Sequence, residues 1–270
     1  MPELPEIEVT RLGLTPRLVG RNVDRVTARV HALRYPLPSA LARKLGGQRL
    51  LAIRRRGKYL LFDFGTGHLL VHLGMSGSLR LVEKGQPATK HDHLDIGFDN
   101  EVLRLRDPRR FGAALWIEGD PMSHSLLAHL GAEPLERRFD AAALARALRD
   151  RRTAIKPALM DASIVVGVGN IYASESLHRA GIDPRLPAGR VTPARLAKLV
   201  RAIKSTLRNA IRAGGSSLRD FVACDGALGD FQTRHRVYGR AGEPCRTCGT
   251  TIKMLRQGNR TTYYCPRCQR

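Results

Sequence analysis

Cysteine is scarce in this chain: five among 270 residues, four of them within the last 26. So few, gathered at one end, suit a metal site in a reducing compartment better than a disulfide framework. No apolar run reaches the 18 residues of a membrane-spanning helix, no lipidation motif is present, and no strongly amphipathic basic helix stands out. A membrane is therefore not an expected partner. The opening MPELPEIEVT has acids where a secretory signal has Lys or Arg and an apolar stretch. The expected location is cytoplasmic and, given the charge described next, nucleoid-associated. Neither an internal repeat nor a low-complexity tract occurs. Acids are scarce too: 24 Asp and Glu against 46 Lys and Arg leave a formal charge of +22. Such a field attracts polyanions, and double-stranded nucleic acid is the first partner it suggests.

A hydrophobic content of 43% over this length supports a proper core, more comfortably in two domains than in one. After a short helix-like start, residues 22–117 hold alternating apolar segments: NVDRVTARV, QRLLAIRRR, YLLFDF, HLLVHLGM, SLRLV, LDIGFD, EVLRLR and AALWI. They predict short strands of a sandwich or barrel. From Ala141 the spacing turns helical, in AAALARALRD, TAIKPALMD, NIYASESLHRAG and PARLAKLVRAIKSTLRNAIRAGG, with Gly181 and Gly214 as stops. AEPLERRFD reads as the linker, and the Gly-containing stretch Asp225–Asp230 as a loop. The fold class is α+β.

Cys245 and Cys248 form one CxxC, Cys265 and Cys268 a second, with 16 residues between. Two knuckles joined by a hairpin-sized connection bring four thiolates together for one structural Zn²⁺, with no position left for substrate. From Gln232 onward nine basic residues accompany one acid, Glu243, so the hairpin carrying Lys253, Arg256 and Arg260 suits a phosphate backbone. Cys224 stands apart and reads as an inert thiol.

At the other end, removal of Met1 exposes the secondary amine of Pro2. An α-amino group titrates near 8, well below Lys, so a nucleophilic fraction exists at neutral pH. Glu3 is adjacent and Glu6 follows at helical spacing, one carboxyl to donate a proton and the other to position the amine. Acids and Pro in a first turn also favour the helix dipole whatever the function, so this motif alone leaves ordinary helix entry open.

PELPEIE, GKYLLF, HLGMSG, DPRRFG, IKPALMD, VVGVGNIYASESL and the paired CxxC stand together in order, and the combination resembles formamidopyrimidine-DNA glycosylase over essentially the whole chain. The resemblance implies an N-terminal β-sandwich catalytic domain (1–132), a helix-two-turn-helix DNA-binding domain (140–230) and a zinc-finger hairpin (236–270), acting as a monomer. It further implies a glycosylase and lyase of base excision repair that removes oxidised purines from duplex DNA. Pro2 would attack C1′ of a flipped nucleotide, and Glu3 would protonate the sugar ring oxygen. Lys58, read here at the end of a strand, and Arg260 match positions credited with phosphate contact and proton transfer in the β and δ eliminations. Met75, Arg109 and Phe111 match a trio that fills the space left by the flipped base. His91, Arg151, Lys156 and Asn170 correspond to further DNA contacts, Asn170 being also a plausible N-cap. His72 and His93 receive no role. The loop from about Leu218 to Arg236 matches a lesion-covering segment, in which Arg219 stands where some members have Lys.

Two other readings stay open. The related endonuclease VIII family shares proline and acid but removes oxidised pyrimidines; Leu4 in PELPE and the intact DPRRFG favour purines. A non-catalytic zinc-ribbon DNA-binding protein would show the same salt-sensitive binding and form no covalent complex.

Overall fold

Alternation lets every second side chain enter a shared core while its neighbours stay outside. In the computed structural model, which describes residues 1–216 and 229–270, the segments between 22 and 117 form two antiparallel four-stranded sheets. The first contains β1 (Arg25–Ala28), β5 (Ser78–Glu83), β6 (Asp92–Phe98) and β7 (Glu101–Arg106), in the order β1-β6-β7-β5. The second contains β2 (Ala52–Arg56), β3 (Tyr59–Asp63), β4 (His68–His72) and β8 (Ala113–Ile117), in the order β2-β3-β4-β8. Leu60 and Phe62, opposite Val71 and Leu69, share one core with Leu94, Ile96, Phe98, Leu103 and Leu105. All eight expected strands are present, arranged as a sandwich.

Helix α1 (Leu4–Leu18) adds Ile7, Leu14 and Leu18 to this core. A capping box between Glu3 and Glu6 starts it, and Pro5 sits in its first turn, where a missing N–H costs nothing. At 15 residues it is longer than a short helix-like start. A further helix, α2 (Leu41–Leu45), was not expected. It spans little more than one turn, too short to show a 3.6-residue period, yet Leu41 and Leu45 both enter the core.

The chain forms two compact units: Met1–Ala128 with the described ends of 213–230, and His129–Arg212 with Phe231–Arg270. α3 (Ser125–Ala128) closes the first stretch. The second unit holds α4 (Ala141–Leu148), α5 (Ile155–Leu159), α6 (Asn170–Ala180), α7 (Pro193–Arg212) and the hairpin β9 (Lys253–Gln257) and β10 (Arg260–Tyr264). Leu196, Leu199, Val200, Ile203, Leu207 and Ala210 give α7 its buried stripe. α6 stops at Gly181, whose φ of +70° suits glycine.

Candidate active site and nucleic-acid interface

Pro2, Glu3 and Glu6 are all buried, whereas Met1 is 48% exposed. Glu6 is 2% exposed, and its carboxylate accepts two amides, Glu3 N at 2.8 Å and Ser216 N at 2.8 Å. It thereby fixes the backbone that carries Pro2 and Glu3. Ser216 belongs to a neck in which Asp230 N donates to Ala213 O at 2.9 Å and Ser216 pairs with Asp230. A Cβ on Gly229 would lie 2.3 Å from Gly215 O, so the close approach of the two strands of this neck requires glycine. Arg219 and Cys224, together with most of the expected covering loop, fall outside the described residues.

Lys58 lies in the two-residue turn between β2 and β3 rather than on a strand; Arg56 pairs with Tyr59, leaving Gly57 and Lys58 to turn the chain. Gly57, at φ +56°, supplies the left-handed first position that tightens such hairpins. Arg55 ties this turn to α1, donating to Glu8 at 2.8 Å and to Gly57 O at 3.1 Å. Burial raises the Glu8 carboxyl, but Arg11 and Arg55 outweigh it and hold its pKa below the usual range. Close by, burial first, then the Lys58 and Arg34 cations, lower the pKa of His72 to about 4 against the opposing charge of Asp107. The neutral ring accepts the Gly74 amide through Nδ1 at 3.1 Å and so shapes the turn that bears Met75.

That turn packs on the DPRRFG loop. A Cβ on Gly74 would stand 2.4 Å from the carbonyl carbon of Phe111, and its φ of +62° again requires glycine. Asp107, fully buried, organises the loop by accepting Ser76 Oγ at 2.9 Å and the amide of Gly112 at 2.7 Å. Its own backbone joins two histidines: Asp107 N donates to His91 O at 2.9 Å, and Asp107 O lies 2.9 Å from His93 Nε2. His93 is thus a satisfied structural residue. The Arg109 guanidinium lies over the Phe111 ring at 4.8 Å, both side chains are exposed, and Met75 is half-buried. The structure brings the three together as two adjoining turns.

In the second unit Lys156, a DNA contact by resemblance, lies inside the fold. It is 1% exposed, and its ammonium donates to Asn170 Oδ1 at 2.5 Å, Thr262 Oγ1 at 2.8 Å and Thr261 O at 3.2 Å. A buried cation needs this full set of acceptors, and it acts as a strut joining α5, the start of α6 and β10. Asn170 is the first helical residue, not the N-cap, which is Gly169. Its amide donates to Thr261 O at 3.1 Å. Arg260, at the start of β10, is exposed, and among the described residues no carboxylate pairs with it. Arg151 is 41% exposed and pairs with Asp161 at 3.1 Å.

The Sγ atoms of Cys245, Cys248, Cys265 and Cys268 all lie within 4.8 Å of one another, with Cys245–Cys268 at 3.9 Å and Cys248–Cys265 at 3.5 Å. Four thiolates around a tetrahedral ion with bonds of about 2.3 Å stand about 3.8 Å apart, so the set fits Zn²⁺.

Three family models cover the chain in order: the formamidopyrimidine-DNA glycosylase N-terminal domain over residues 1–114, its H2TH domain over 130–222, and a zinc finger found in FPG and IleRS over 242–270. The formamidopyrimidine-DNA glycosylase of Aromatoleum aromaticum is 57% identical over 270 residues, all of both chains. The chain belongs to the formamidopyrimidine-DNA glycosylase family. Among solved structures, a Lactococcus lactis FPG variant bound to Fapy-dG-containing DNA matches with a TM-score of 0.92 and 36% identity over 100% of both chains. A MutM complex with carbocyclic 8-oxo-G-containing DNA matches at 0.91 and 36%, again over 100% of both. The enzyme class is that of a base-excision-repair DNA glycosylase, and the zinc-finger match and the thiolate geometry agree on one structural zinc. Among the described residues no helix is long and apolar enough to cross a membrane.

Several supports of this glycosylase fold were not singled out from the sequence. Asp107 opens an Asp-Pro turn, a signal that was present. Arg55 and Thr262 act through Glu8 and Lys156, 47 and 106 positions away, and Gln257 supports Thr262 across the hairpin, its amide oxygen accepting Thr262 Oγ1 at 2.7 Å; none carries a local signature.

Proposed function

We propose that the protein excises oxidised purines, 8-oxoguanine and formamidopyrimidines, from duplex DNA and then cuts the strand, with Pro2 as nucleophile. The observation that carries this reading is the buried amino terminus, in which Glu3 follows Pro2 and the Glu6 carboxylate holds the Glu3 amide at 2.8 Å. The relatives named with Fapy-dG and 8-oxo-G support the substrate class, as do Leu4 and the DPRRFG loop.

While Met1 is attached, the Pro2 nitrogen is an amide and cannot attack. Its removal leaves a secondary amine with a pKa near 8. The amine adds to C1′ as the bond to the damaged base breaks, and Glu3 protonates the ring oxygen so that the sugar opens to an iminium. Loss of a C2′ proton then expels the 3′ phosphate, and a second elimination expels the 5′ phosphate, leaving a one-nucleotide gap. Lys58 and Arg260 serve these steps as cations beside the phosphates. Met75 and Phe111 fill the space vacated by the base, and the planar fork of Arg109 reads the orphaned partner. His91, Arg151 and Asn170 contact the backbone, and Lys156 acts through Asn170. Arg219 belongs to the covering loop. In this division residues 1–132 are catalytic, 140–230 bind DNA, and 236–270 form the zinc finger of a monomer working at the nucleoid.

The test is strand cleavage on an 8-oxoguanine:cytosine duplex beside one with an oxidised pyrimidine. Preferential cleavage of the purine lesion is expected; preference for the pyrimidine would overturn the assignment.

A further inference from the structure

α6 meets the cysteine module through two side chains one turn apart. Glu175 is 2% exposed, and its carboxylate accepts the amides of Val237 and Tyr238 at 3.0 and 2.9 Å and that of Arg236 at 2.9 Å. These contacts fix the turn that leads toward the first knuckle. Three residues on, His178 is 5% exposed, and its Nε2 lies 3.5 Å from Cys245 Sγ. The helix therefore holds both the chain entering the cluster and one of its four sulfurs.

The hydrogen in the His178–Cys245 contact can be placed. A zinc-bound thiolate carries no proton, so Nε2 must be the donor. Nδ1 is buried with no hydrogen-bond partner among the described residues, and an N–H there would be a stranded donor. The Nε2–H tautomer satisfies both conditions. Cys245 Sγ also accepts the Thr247 amide at 3.4 Å, so this sulfur receives one backbone and one side-chain donor.

Four thiolates around one Zn²⁺ carry a formal charge of −2, and each N–H directed at a sulfur spreads that charge and weakens the sulfur's exchange with competing protons or metals. We propose that His178 is an outer donor of the zinc site, holding the Cys245 thiolate on the metal from α6 and so setting the rate at which zinc leaves. It is a positioning residue, acting through Cys245 and not on DNA.

The experiment follows zinc transfer from the full-length, zinc-loaded protein to excess 4-(2-pyridylazo)resorcinol, read as chelator absorbance. His178→Phe keeps the ring volume without the donor, and transfer should accelerate about 10- to 100-fold. His178→Gln retains an N–H and should stay within about threefold of the parent. A Phe variant purified without zinc counts with fast release. Phe and parent transferring at equal rates would overturn the proposal, as would Gln transferring as fast as Phe, which would assign the effect to packing. In the cobalt-substituted protein, loss of the donor raises the sulfur lone-pair energy, so the thiolate-to-metal charge-transfer band should move to longer wavelength in His178→Phe and stay in place in His178→Gln. An unmoved band in the Phe variant contradicts the assignment.

Discussion

Glu6 and Ser216 stand 210 positions apart in sequence and 2.8 Å apart in space. The other oxygen of the same carboxylate holds the Glu3 amide at 2.8 Å, so one buried side chain ties the proposed nucleophile's backbone to the neck from which residues 217–228 depart. Glu6→Ala leaves two buried amides without an acceptor, at about 1–3 kcal/mol each. The expected result is a clear fall in thermal midpoint together with at least a tenfold slower covalent trapping. Glu6→Gln, which keeps one acceptor oxygen, should fall between the two. Trapping at the parental rate in Glu6→Ala would dissociate the carboxylate from the site.

Lys156 and Arg260 are both basic, yet the first is buried and the second exposed. Arg260→Ala removes an exposed cation and should reduce the slope of log affinity against log salt by about one. Lys156→Met removes a buried strut, leaving Asn170 Oδ1, Thr261 O and Thr262 Oγ1 short of a donor. It should lower the thermal midpoint and weaken DNA binding about tenfold or more with the slope unchanged. A reduced slope in the Lys156 variant would mean direct phosphate contact after all.

Zinc removal should be local. The cysteine module buries little beyond Val237, Ile252 and the cysteines themselves, too small a core to stand without the ion. The single tryptophan, Trp116, lies on β8 in the first unit, so its fluorescence reports only on the sandwich. Chelation is expected to abolish tight DNA binding while Trp116 emission and its cooperative thermal transition persist. Collapse of the tryptophan signal on chelation would show that the sandwich depends on the zinc.

The His72 ring makes a pH prediction. Its pKa falls from the ordinary 6.5 to about 4, so between those values the unfolded chain binds more protons than the folded one. Stability contributed by the neutral ring is complete above about pH 6.5 and is lost as pH falls toward 4. From pH 7 to 5 the loss should be about 1–2 kcal/mol, allowing for partial exposure. Asp95 does not contribute there: burial raises its carboxyl, but Arg104 and Arg29 outweigh this and hold it low. Urea midpoints at pH 7 and 5 should diverge more for the parent than for His72→Gln. Equal shifts in both would refute the role given to the ring.

The strands, the long helices and the zinc ligands were legible because each writes itself locally. Alternation gives β1 to β8, i, i+3 and i+4 spacing gives α4, α6 and α7, and CxxC pairs give the thiolates. Motif resemblance alone names Pro2, Glu3 and the two turns bearing Met75 and Arg109 as candidates. The burial of Lys156 is not legible, because the acceptors that enclose it come from 14, 105 and 106 positions away. Lys58 reads as the end of a strand because it closes the basic run RRRGK; only the pairing of Arg56 with Tyr59 shows the turn.

The most direct test of the account is borohydride trapping on an 8-oxoguanine:cytosine duplex, using protein whose Met1 is shown by mass spectrometry to be gone. The account predicts a denaturant-resistant protein–DNA adduct that maps to Pro2 and is absent or strongly reduced in Pro2→Gly. An adduct of equal yield in Pro2→Gly, mapping to a lysine such as Lys58, would contradict it.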